Sequence, residues 1–433
     1  MLFTSLPNLD FFLDAPVELR LDLFPHIDFA ALPTKNVLFT LRKGSFKGSE
    51  KTREALILKL LDLHPAYFDL ESDMREEFLC RALTSYPQTR FILSHHTFGP
   101  IDLPSTFHEM RRLPCYAYKI AFQPQTATEA LEALLFMKEN PSLSVICMGE
   151  KNAFTRVLGS LQKERLSYAS LNTKTAPGQL SLQDLTEIYR TPSLASDASL
   201  YGLIGSPIDQ SVGHLYHNSV FKKLNLNAVY VKMDVTPDEL PHFFRAAKKI
   251  GFKGLSVTMP LKEAVLPFLE IDEKAKQIGA VNTISFKDGK LYGTNTDGIG
   301  ALDAIEKRMK VKDKTFVILG AGGAARAVAF EAIQRKANVT IVNRTAEKGK
   351  RLASFFQCDW KAEAPHDADI LINCSPAPVH FEHLQSRTLL MDIVYSPRET
   401  PFLQRGLSLG CPVIYGEEMF INQAKAQTDF WFL

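Results

Sequence analysis

The most constraining feature of the chain is the segment "TFVILGAGGAARAVAFEAIQRKANVTIVNRT", residues 315–345. An apolar, β-rich run leads into a glycine-rich turn, and the turn opens a helix-forming stretch that is followed by a second apolar run. Strand, turn, helix and strand within about 30 residues are typical of one βαβ unit. Because such a unit needs parallel strands covered by a helix, this part of the chain predicts a doubly wound α/β fold.

The glycine turn of this unit fits the pattern G-x-G-x-x-G/A with Gly320, Gly322 and Ala325. The glycines let the backbone approach a pyrophosphate, which then sits at the positive end of the helix. An NAD binder carries an acidic residue after the second strand, whereas Arg344 stands here and suits the 2′-phosphate of NADP. The alternative for Arg344 is a solvated surface side chain. The residues that we assign to the NADP site are Gly320, Ala321, Gly322, Gly323, Ala324, Asn343, Arg344 and Thr345.

Composition limits the class of protein. With 433 residues, 45% of them hydrophobic and 23% charged, the chain is too long for one core and reads as globular. A net charge of +2 offers no basic field for nucleic acid or an anionic membrane. We expect a cytoplasmic protein, because the N-terminus lacks a signal-peptide pattern and no uncharged apolar stretch is long enough to span a membrane. The six cysteines lack the paired spacing of a zinc site, so we expect no metal.

Residues 1–190 contain eight short β-rich runs that alternate with helical or loop segments. The runs are 2–6, 17–23, 37–42, 66–71, 90–96, 117–122, 143–149 and 166–170. This alternation favours a (β/α)₈ barrel, trimmed at its first connection, which is too short for more than a helical turn. The stretch "TPSLASDAS", residues 191–199, is small, polar and proline-initiated, so we predict a linker there.

A lysine, Lys119, stands in the middle of the apolar run "AYKIAFQ". Apolar strands normally exclude lysine, since burying its charge unpaired is costly. In a dry site, however, lysine loses its proton more easily and becomes a nucleophile for carbonyl carbon. His96 ends the preceding strand in "SHHTFGP", and the C-terminal ends of barrel strands meet at one pocket. The alternative is an edge lysine whose ammonium reaches water.

A second lysine, Lys262, follows the strand-like run in "KGLSVTMPLKEAV", and Asp297 lies in the glycine-flanked "GTNTDGIG". A hydrogen-bonded lysine and aspartate can pass a proton to a carbonyl oxygen as hydride arrives at carbon. On spacing alone the alternative is an ordinary surface ion pair.

The part from residue 200 onwards resembles the shikimate dehydrogenases. The matching stretches, in order, are "YGLIGSPIDQSVGHLYHN", "GLSVTMPLK", "IGAVNTI", "GTNTDGIG", "ILGAGGAARA", "VNRT", "DIVYSPRETPFL" and "GEEMFINQA". The resemblance implies that Lys262 and Asp297 form the catalytic dyad. It implies substrate contacts from Ser211, Thr258, Asn282, Tyr395 and Gln423, and we place Gly416 at the cofactor. It also implies a substrate lobe over 200–300 with a C-terminal helix over 417–433, and a Rossmann NADP-binding lobe over 301–416. Gly213 replaces the second serine of an S-x-S pattern in that family, which leaves quinate open as a substrate.

The part from about residue 15 to 185 resembles the type I 3-dehydroquinate dehydratases. The matching stretches are "ELRLD", "FTLR", "DLE", "SHHTF", "YKIA", "TRVLGS" and "APGQL". The resemblance makes Lys119 the imine-forming residue and His96 the general acid/base. It assigns to substrate recognition Glu18, Arg20, Arg42, Arg156, Thr175 and Gln179. In that family a loop glutamate after the strand-three arginine supports the histidine, whereas "RKGSFKGSE" carries no acid at that spacing.

The hypothesis from the sequence is a bifunctional enzyme of the shikimate pathway, which leads to chorismate and the aromatic amino acids. The barrel would convert 3-dehydroquinate into 3-dehydroshikimate through a Lys119 Schiff base, and the second half would reduce the product to shikimate with NADPH. The alternative is an active shikimate or quinate dehydrogenase whose barrel is a non-catalytic structural or docking module. The oligomeric state stays open.

Overall fold

The computed structural model describes residues 1–6, 16–24, 26, 28–162, 164–171, 173–375 and 384–432. The chain divides into two compact units. The first contains Met1–Ser199, Asn225–Met233 and His242–Gly251, and the second contains Leu200–Leu224, Asp234–Pro241 and Phe252–Leu433. Among the helices of the described ranges, none combines the length and the apolar character needed to cross a membrane.

Within the described residues, the barrel contains eight strands and five α-helices. The strands are β1 (Leu2–Leu6), β2 (Val17–Arg20), β3 (Val37–Thr40), β4 (Tyr67–Glu71), β5 (Arg90–His96), β6 (Ala117–Phe122), β7 (Leu143–Cys147) and β8 (Ser167–Ser170). The α-helices are α1 (Glu50–Leu61), α2 (Glu76–Ser85), α3 (Leu103–Met110), α4 (Ala127–Glu139) and α5 (Phe154–Leu161). Short 3₁₀ helices cover Leu21–Leu23, Phe29–Ala31, Glu150–Asn152 and Thr191–Ser193, and a π-helix covers Asp184–Ile188.

The eight strands are parallel and follow the order β7-β6-β5-β4-β3-β2-β1-β8, a nearly closed barrel. The Leu166 N–H donates to Ser144 Oγ at 2.9 Å and so links the two end strands. All six residues of β6 are buried, since parallel strands of a barrel are covered on both faces. The predicted barrel is confirmed. Helices α1 to α5 follow β3 to β7 in turn, whereas the first connection, predicted to be trimmed, lies outside the described residues.

The second part of the chain contains the remaining strands and helices. The strands are β9 (Ser199–Gly205), β10 (Ala228–Asp234), β11 (Phe252–Val257), β12 (Glu270–Ile271), β13 (Thr283–Lys287), β14 (Lys290–Thr294), β15 (Thr315–Leu319), β16 (Asn338–Val342), β17 (Asp359–Lys361), β18 (Ile370–Asn373), β19 (Leu389–Asp392) and β20 (Val413–Ile414). The α-helices are α6 (Gly213–Lys223), α7 (Leu240–Ile250), α8 (Leu261–Ala264), α9 (Glu273–Ile278), α10 (Asp297–Glu306), α11 (Gly323–Gln334), α12 (Ala346–Phe356), α13 (Pro401–Ser408) and α14 (Gly416–Phe432). Two 3₁₀ helices cover Pro237–Glu239 and Leu266–Phe268.

The predicted βαβ unit, β15-α11-β16, lies at the centre of a six-stranded parallel sheet with the order β17-β16-β15-β18-β19-β20. The strand order reverses beside β15, and ligands of such sheets bind at the carboxyl end of that strand. Gly320, which follows β15, has φ +122°, and a Cβ there would lie 3.1 Å from the Cys374 carbonyl oxygen. Only glycine meets both conditions without strain.

A mixed sheet positions the other residues of this half, with neighbouring strands in the order β9-β11-β13-β14-β12. Lys262 follows β11, Asn282 precedes β13, and Asp297 follows β14 as the first residue of α10. Since β11 and β14 both run antiparallel to β13, these positions share one end of the sheet. Two glycines let α10 approach its neighbours closely: a Cβ on Gly300 would lie 2.7 Å from Gln423 Cβ of α14, and one on Gly298 would lie 2.4 Å from the Ala327 carbonyl of α11.

The close approach of α10 to α11 makes Gly298 a test of this packing. We expect Gly298→Ala to lower the free energy of unfolding by about 1–3 kcal/mol, because the added methyl group forces the two helices apart. Denaturant unfolding of the intact chain measures this. The matched control is Gly44→Ala, since a Cβ at Gly44 meets nothing within 4 Å. Equal midpoints for the two variants would contradict the packing argument.

Candidate active sites

Lys119 lies inside the barrel. Strand β6 is flanked by β5 and β7, so it is not an edge strand, and Lys119 is only 4% exposed. Its Nζ forms an ion pair with Asp69 of β4 and lies 3.5 Å from the Tyr168 hydroxyl of β8. The alternative of an edge lysine that reaches water is therefore wrong.

Asp69 is the common partner of the charged groups in this pocket. Its carboxylate accepts hydrogen bonds from Arg42 Nη1 at 3.0 Å, from Arg42 Nη2 at 2.8 Å and from Ser94 Oγ at 2.5 Å, in addition to Lys119. Burial opposes the charged form, but the cations of Arg42 and Lys119 outweigh it and hold the pKa of Asp69 below its usual range. Asp69 is thus held in its ionised form.

The surroundings of Lys119 make its ammonium easier to deprotonate than that of an ordinary lysine. Burial, and next the positive charge of Arg42, lower the pKa of Lys119, while the charge of Asp69 opposes them. Only the neutral amine has a lone pair with which to attack a carbonyl carbon, so this shift is the one that a nucleophilic lysine needs.

His96 lies at the mouth of the same pocket, with its side chain 28% exposed. Arg42 Nη1 is 3.4 Å from His96 Nδ1. Desolvation, followed by the charges of Arg42 and Lys119, lowers the pKa of His96 well below its ordinary value. The imidazole is therefore neutral near pH 7, which is the form that a general base requires.

A carboxylate lies near His96 although the loop "RKGSFKGSE" supplies none. Glu71, the last residue of β4, places Oε1 4.0 Å from His96 Nδ1 and 3.6 Å from Arg42 Nη1. Its other oxygen accepts from the Lys43 N–H at 2.8 Å and from Arg53 Nη1 at 2.6 Å. Neither Asp69 nor Glu71 is among the site residues predicted from the sequence. Both belong to the "DLE" stretch, which was the sequence signal that could have identified them.

Four of the predicted recognition residues line the barrel beside β1 and β2. Glu18 accepts from Ser5 Oγ at 2.6 Å and from Thr40 Oγ1 at 2.9 Å. Arg20 is paired with Asp22 and donates to the Thr175 carbonyl at 3.1 Å. Gln179 accepts from the Thr175 N–H at 2.9 Å and donates to Ser5 Oγ at 3.2 Å. These bonds tie the segment 175–179 to the strands that carry Glu18 and Arg20.

Arg156 of α5 is the remaining predicted recognition residue. It is 6% exposed, and its Nε and Nη2 have no hydrogen-bond partner among the residues that the structure describes. Burial lowers the pKa of Arg156. Buried N–H groups without a partner are costly, and the guanidinium fork matches a carboxylate, so Arg156 is a candidate receptor for an anionic ligand.

In the second half the structure brings Lys262 and Asp297 together, as expected for a dyad. Lys262 Nζ lies 2.5 Å from Asp297 Oδ2, and Asp297 Oδ1 accepts from Asn282 Nδ2 at 2.7 Å. The same Nδ2 lies 3.3 Å from Gln423 Oε1. Asn282 Oδ1 accepts from the Thr296 N–H at 2.9 Å, which fixes the orientation of the amide. Four predicted residues thus meet at one end of the mixed sheet.

The other predicted substrate contacts have different neighbours in the structure. Ser211 Oγ accepts from the Gly213 N–H at 3.3 Å. Thr258 packs closely against Gly205, and the Tyr395 ring lies 5.2 Å from the Phe420 ring. The place of these three residues beside the dyad stays a prediction.

The glycine turn fits a dinucleotide. A Cβ on Gly322 would meet nothing within 4 Å, so the approach to the first turn of α11 is open. A Cβ on Gly323 would lie 3.2 Å from Lys262 Cδ, which brings the start of α11 against the dyad lysine. Asn343 Nδ2 donates to the Thr345 carbonyl at 2.8 Å, and Arg344 is exposed. Gly416 opens α14 where a Cβ would lie 2.6 Å from the Val394 carbonyl.

Fold and sites together define a two-part α/β enzyme. One part is a barrel with a buried lysine beside a neutral histidine, and the other is a dinucleotide-binding unit with a Lys–Asp pair at its glycine turn. Three family models match the chain: type I 3-dehydroquinase over residues 12–195, the shikimate dehydrogenase substrate binding domain over 203–284, and shikimate/quinate 5-dehydrogenase over 303–381.

Relatives match over most of their length. The chain is 36% identical over 432 residues to the shikimate biosynthesis protein AroDE of Chlamydia pneumoniae, which covers 96% of this chain and 90% of that protein. It is 32% identical over 458 residues to the chloroplastic bifunctional 3-dehydroquinate dehydratase/shikimate dehydrogenase of Arabidopsis thaliana, with 95% and 74% covered. This chain belongs to the family of bifunctional 3-dehydroquinate dehydratase/shikimate dehydrogenases.

Solved structures match the second half. A shikimate dehydrogenase crystallised in complex with NADP⁺ is 37% identical with a TM-score of 0.53, and covers 55% of this chain and 91% of its own. The shikimate dehydrogenase of Aquifex aeolicus is 33% identical with a TM-score of 0.51, and covers 54% and 92%.

Arg156, two of whose buried nitrogens lack a hydrogen-bond partner among the described residues, predicts an unusual stability effect. We expect Arg156→Met to raise the free energy of unfolding of the ligand-free protein by about 1–3 kcal/mol, since unsatisfied buried groups are removed. The matched control is Arg53→Met, because Arg53 is also buried but is bonded to Leu41, Glu50 and Glu71. We expect that control to lose about 3–5 kcal/mol. Denaturant unfolding compares the two, and equal losses would contradict the assignment.

Proposed function

We propose that the barrel dehydrates 3-dehydroquinate to 3-dehydroshikimate and that the second half reduces this product to shikimate with NADPH. The observation that carries the proposal is the state of Lys119. It is buried, its pKa is lowered, and His96 lies against Arg42, which pairs with the same Asp69 as Lys119. A structural module has no need of a buried amine in this form, so the rival of a non-catalytic barrel is disfavoured.

In the barrel the reaction begins at Lys119 Nζ. The neutral amine adds to the ketone carbon, and the carbonyl oxygen leaves as water when the iminium forms. The iminium withdraws electrons, so His96 removes a proton from the adjacent carbon and gives an enamine. His96 then returns the proton to the departing hydroxyl, which leaves as a second water. Hydrolysis of the remaining iminium consumes one water and frees Lys119, so the net change is the loss of one water.

The barrel has to recognise the one carboxylate and the several hydroxyls of 3-dehydroquinate. Arg156 pairs with the carboxylate, because this satisfies the Nε and Nη2 groups that lack a partner among the described residues. Glu18 and Gln179 present buried polar atoms to the hydroxyls, and Thr175 lies beside them. Arg42 stays with Asp69 and Glu71 and keeps His96 in place.

In the second half the bound NADPH supplies the hydride. Lys262 donates a proton to the ketone oxygen, and Asp297 holds its ammonium in position through the 2.5 Å contact. Asn282 and Gln423 orient the substrate hydroxyls next to the dyad, with Ser211, Thr258 and Tyr395 as further contacts. The glycine turn binds the pyrophosphate and Arg344 pairs with the 2′-phosphate.

The first experiment follows NADPH consumption by the purified chain with 3-dehydroquinate as sole substrate. We expect steady consumption, because the reductase receives its substrate only after water has been eliminated. Lys119→Ala should stop this reaction and leave the reduction of added 3-dehydroshikimate unchanged. The control is Lys138→Ala, an exposed lysine of α4.

Each other outcome is informative. If the wild-type chain consumes NADPH only with 3-dehydroshikimate, the barrel is a non-catalytic module. If Lys119→Ala is well folded but loses both activities, the two halves are not independent catalysts. Faster oxidation of quinate than of shikimate would make the second half a quinate dehydrogenase.

Arg344 decides the choice of cofactor in this proposal. We expect Arg344→Ala to raise the KM for NADPH roughly 10- to 100-fold and to leave the KM for NADH unchanged, because a charged hydrogen-bond donor to the 2′-phosphate is lost. Initial rates with both cofactors measure the effect, with the exposed Arg351→Ala as control. An Arg344→Ala variant that keeps its preference for NADPH would contradict the assignment.

A further inference from the structure

Tyr168 of β8 contacts the reactive nitrogen of the barrel, although it is not among the residues predicted from the sequence. Lys119 Nζ lies over the face of the Tyr168 ring, 4.7 Å from its centroid, and 3.5 Å from its hydroxyl. Tyr168 is 7% exposed, so this contact is dry. A cation over a tyrosine face is attracted by the ring quadrupole, and the attraction is strongest where water is excluded.

The position of the ring is fixed by the barrel interior. Tyr168 stacks on Phe3 of β1, with ring centroids 5.9 Å apart and an interplanar angle of 26°. Phe3 is itself fully buried and packs edge-on against Tyr67 at 5.6 Å. Burial raises the pKa of the Tyr168 phenol well above its ordinary value, so the phenol stays neutral. The ring therefore offers Lys119 a rigid, uncharged face.

Formation of the iminium changes the number of hydrogen-bond donors on the Lys119 nitrogen. The free ammonium has three N–H donors, whereas an iminium keeps one N–H and one positive charge. Asp69 already accepts from Arg42 and Ser94 and takes one donor from Lys119. After imine formation the single N–H is satisfied by Asp69, and the hydrogen bond to the Tyr168 hydroxyl is lost. The ring face needs no N–H, so it still stabilises the charge.

We propose that Tyr168 is a catalytic residue of the barrel, whose ring face stabilises the positive charge of the Lys119 iminium and whose hydroxyl holds the free amine in place before attack. This inference rests on the proposed Schiff base. It assigns the larger effect to the ring and the smaller effect to the hydroxyl, and two substitutions separate them.

The test compares Tyr168→Phe, which keeps the ring, with Tyr168→Leu, which removes it. We expect Tyr168→Leu to lower the dehydratase kcat roughly 10- to 30-fold, and Tyr168→Phe to lower it only about 2- to 5-fold. The matched control is Tyr118→Phe: Tyr118 precedes Lys119 on β6, but its hydroxyl donates to the Leu113 carbonyl. Reduction of 3-dehydroshikimate and the unfolding midpoint report on the integrity of each variant.

A second readout follows imine formation directly. Borohydride reduction with 3-dehydroquinate traps Lys119, and the trapping rate is measured against pH. The charged and titratable groups that face Nζ are Asp69 of β4, Arg42 after β3, Glu18 of β2, His96 of β5 and Tyr168 itself. Because the ring favours the ammonium, its removal should shift the trapping profile of Tyr168→Leu to lower pH. A purely structural role would not move this profile.

The outcomes separate this inference from the function on which it rests. Equal kcat values and trapping profiles for the wild type and Tyr168→Leu would overturn the role of Tyr168, while trapping in both would leave the Schiff base intact. Equal losses in Tyr168→Phe and Tyr168→Leu would assign the effect to the hydroxyl and overturn the role of the ring. Failure of the wild-type chain to be trapped would overturn the proposed dehydratase itself.

Discussion

One carboxylate, Asp69, holds the barrel site together. Two cations, Arg42 and Lys119, share it inside a dry pocket, and removal of one partner from such a group leaves an uncompensated charge that costs about 3–5 kcal/mol. Arg42 donates two hydrogen bonds to Asp69, which hold the carboxylate in its ionised form. In the proposed reaction the proton transfers are assigned to His96, and Lys119 is the nucleophile.

Each half contains a Lys–Asp pair, but the two pairs have different surroundings. The Lys119 side chain is 5% exposed and that of Lys262 is 18% exposed. Desolvation with Arg42 nearby disfavours the ammonium at Lys119, as a nucleophile requires. Lys262 is bonded to Asp297, and Asp297 in turn accepts a hydrogen bond from Asn282. Environment, rather than residue type, decides the chemistry of each lysine.

The sequence predicts the fold better than it predicts the complete site. The eight β-rich runs and the βαβ unit are local patterns, and each corresponds to elements of the structure. Lys119 and His96 are also found locally, because one interrupts an apolar run and the other ends the preceding strand. Asp69 and Tyr168, by contrast, lie 50 and 49 residues from Lys119. The curvature of the sheet brings them to its nitrogen; Asp69 is marked in the sequence by the "DLE" stretch, whereas Tyr168 does not stand out among its neighbours.

Glu71 shows why a search along the chain for an acid near His96 fails. The loop after Arg42 supplies none, yet Glu71 reaches the same region from the end of β4, and its position is fixed by Arg53 and the Lys43 N–H. Arg53 is fully buried and is itself anchored by the Leu41 carbonyl. A carboxylate on a strand with two such bonds is held more precisely than one on a loop. The carboxylate near His96 is therefore built into the barrel wall, at the end of β4.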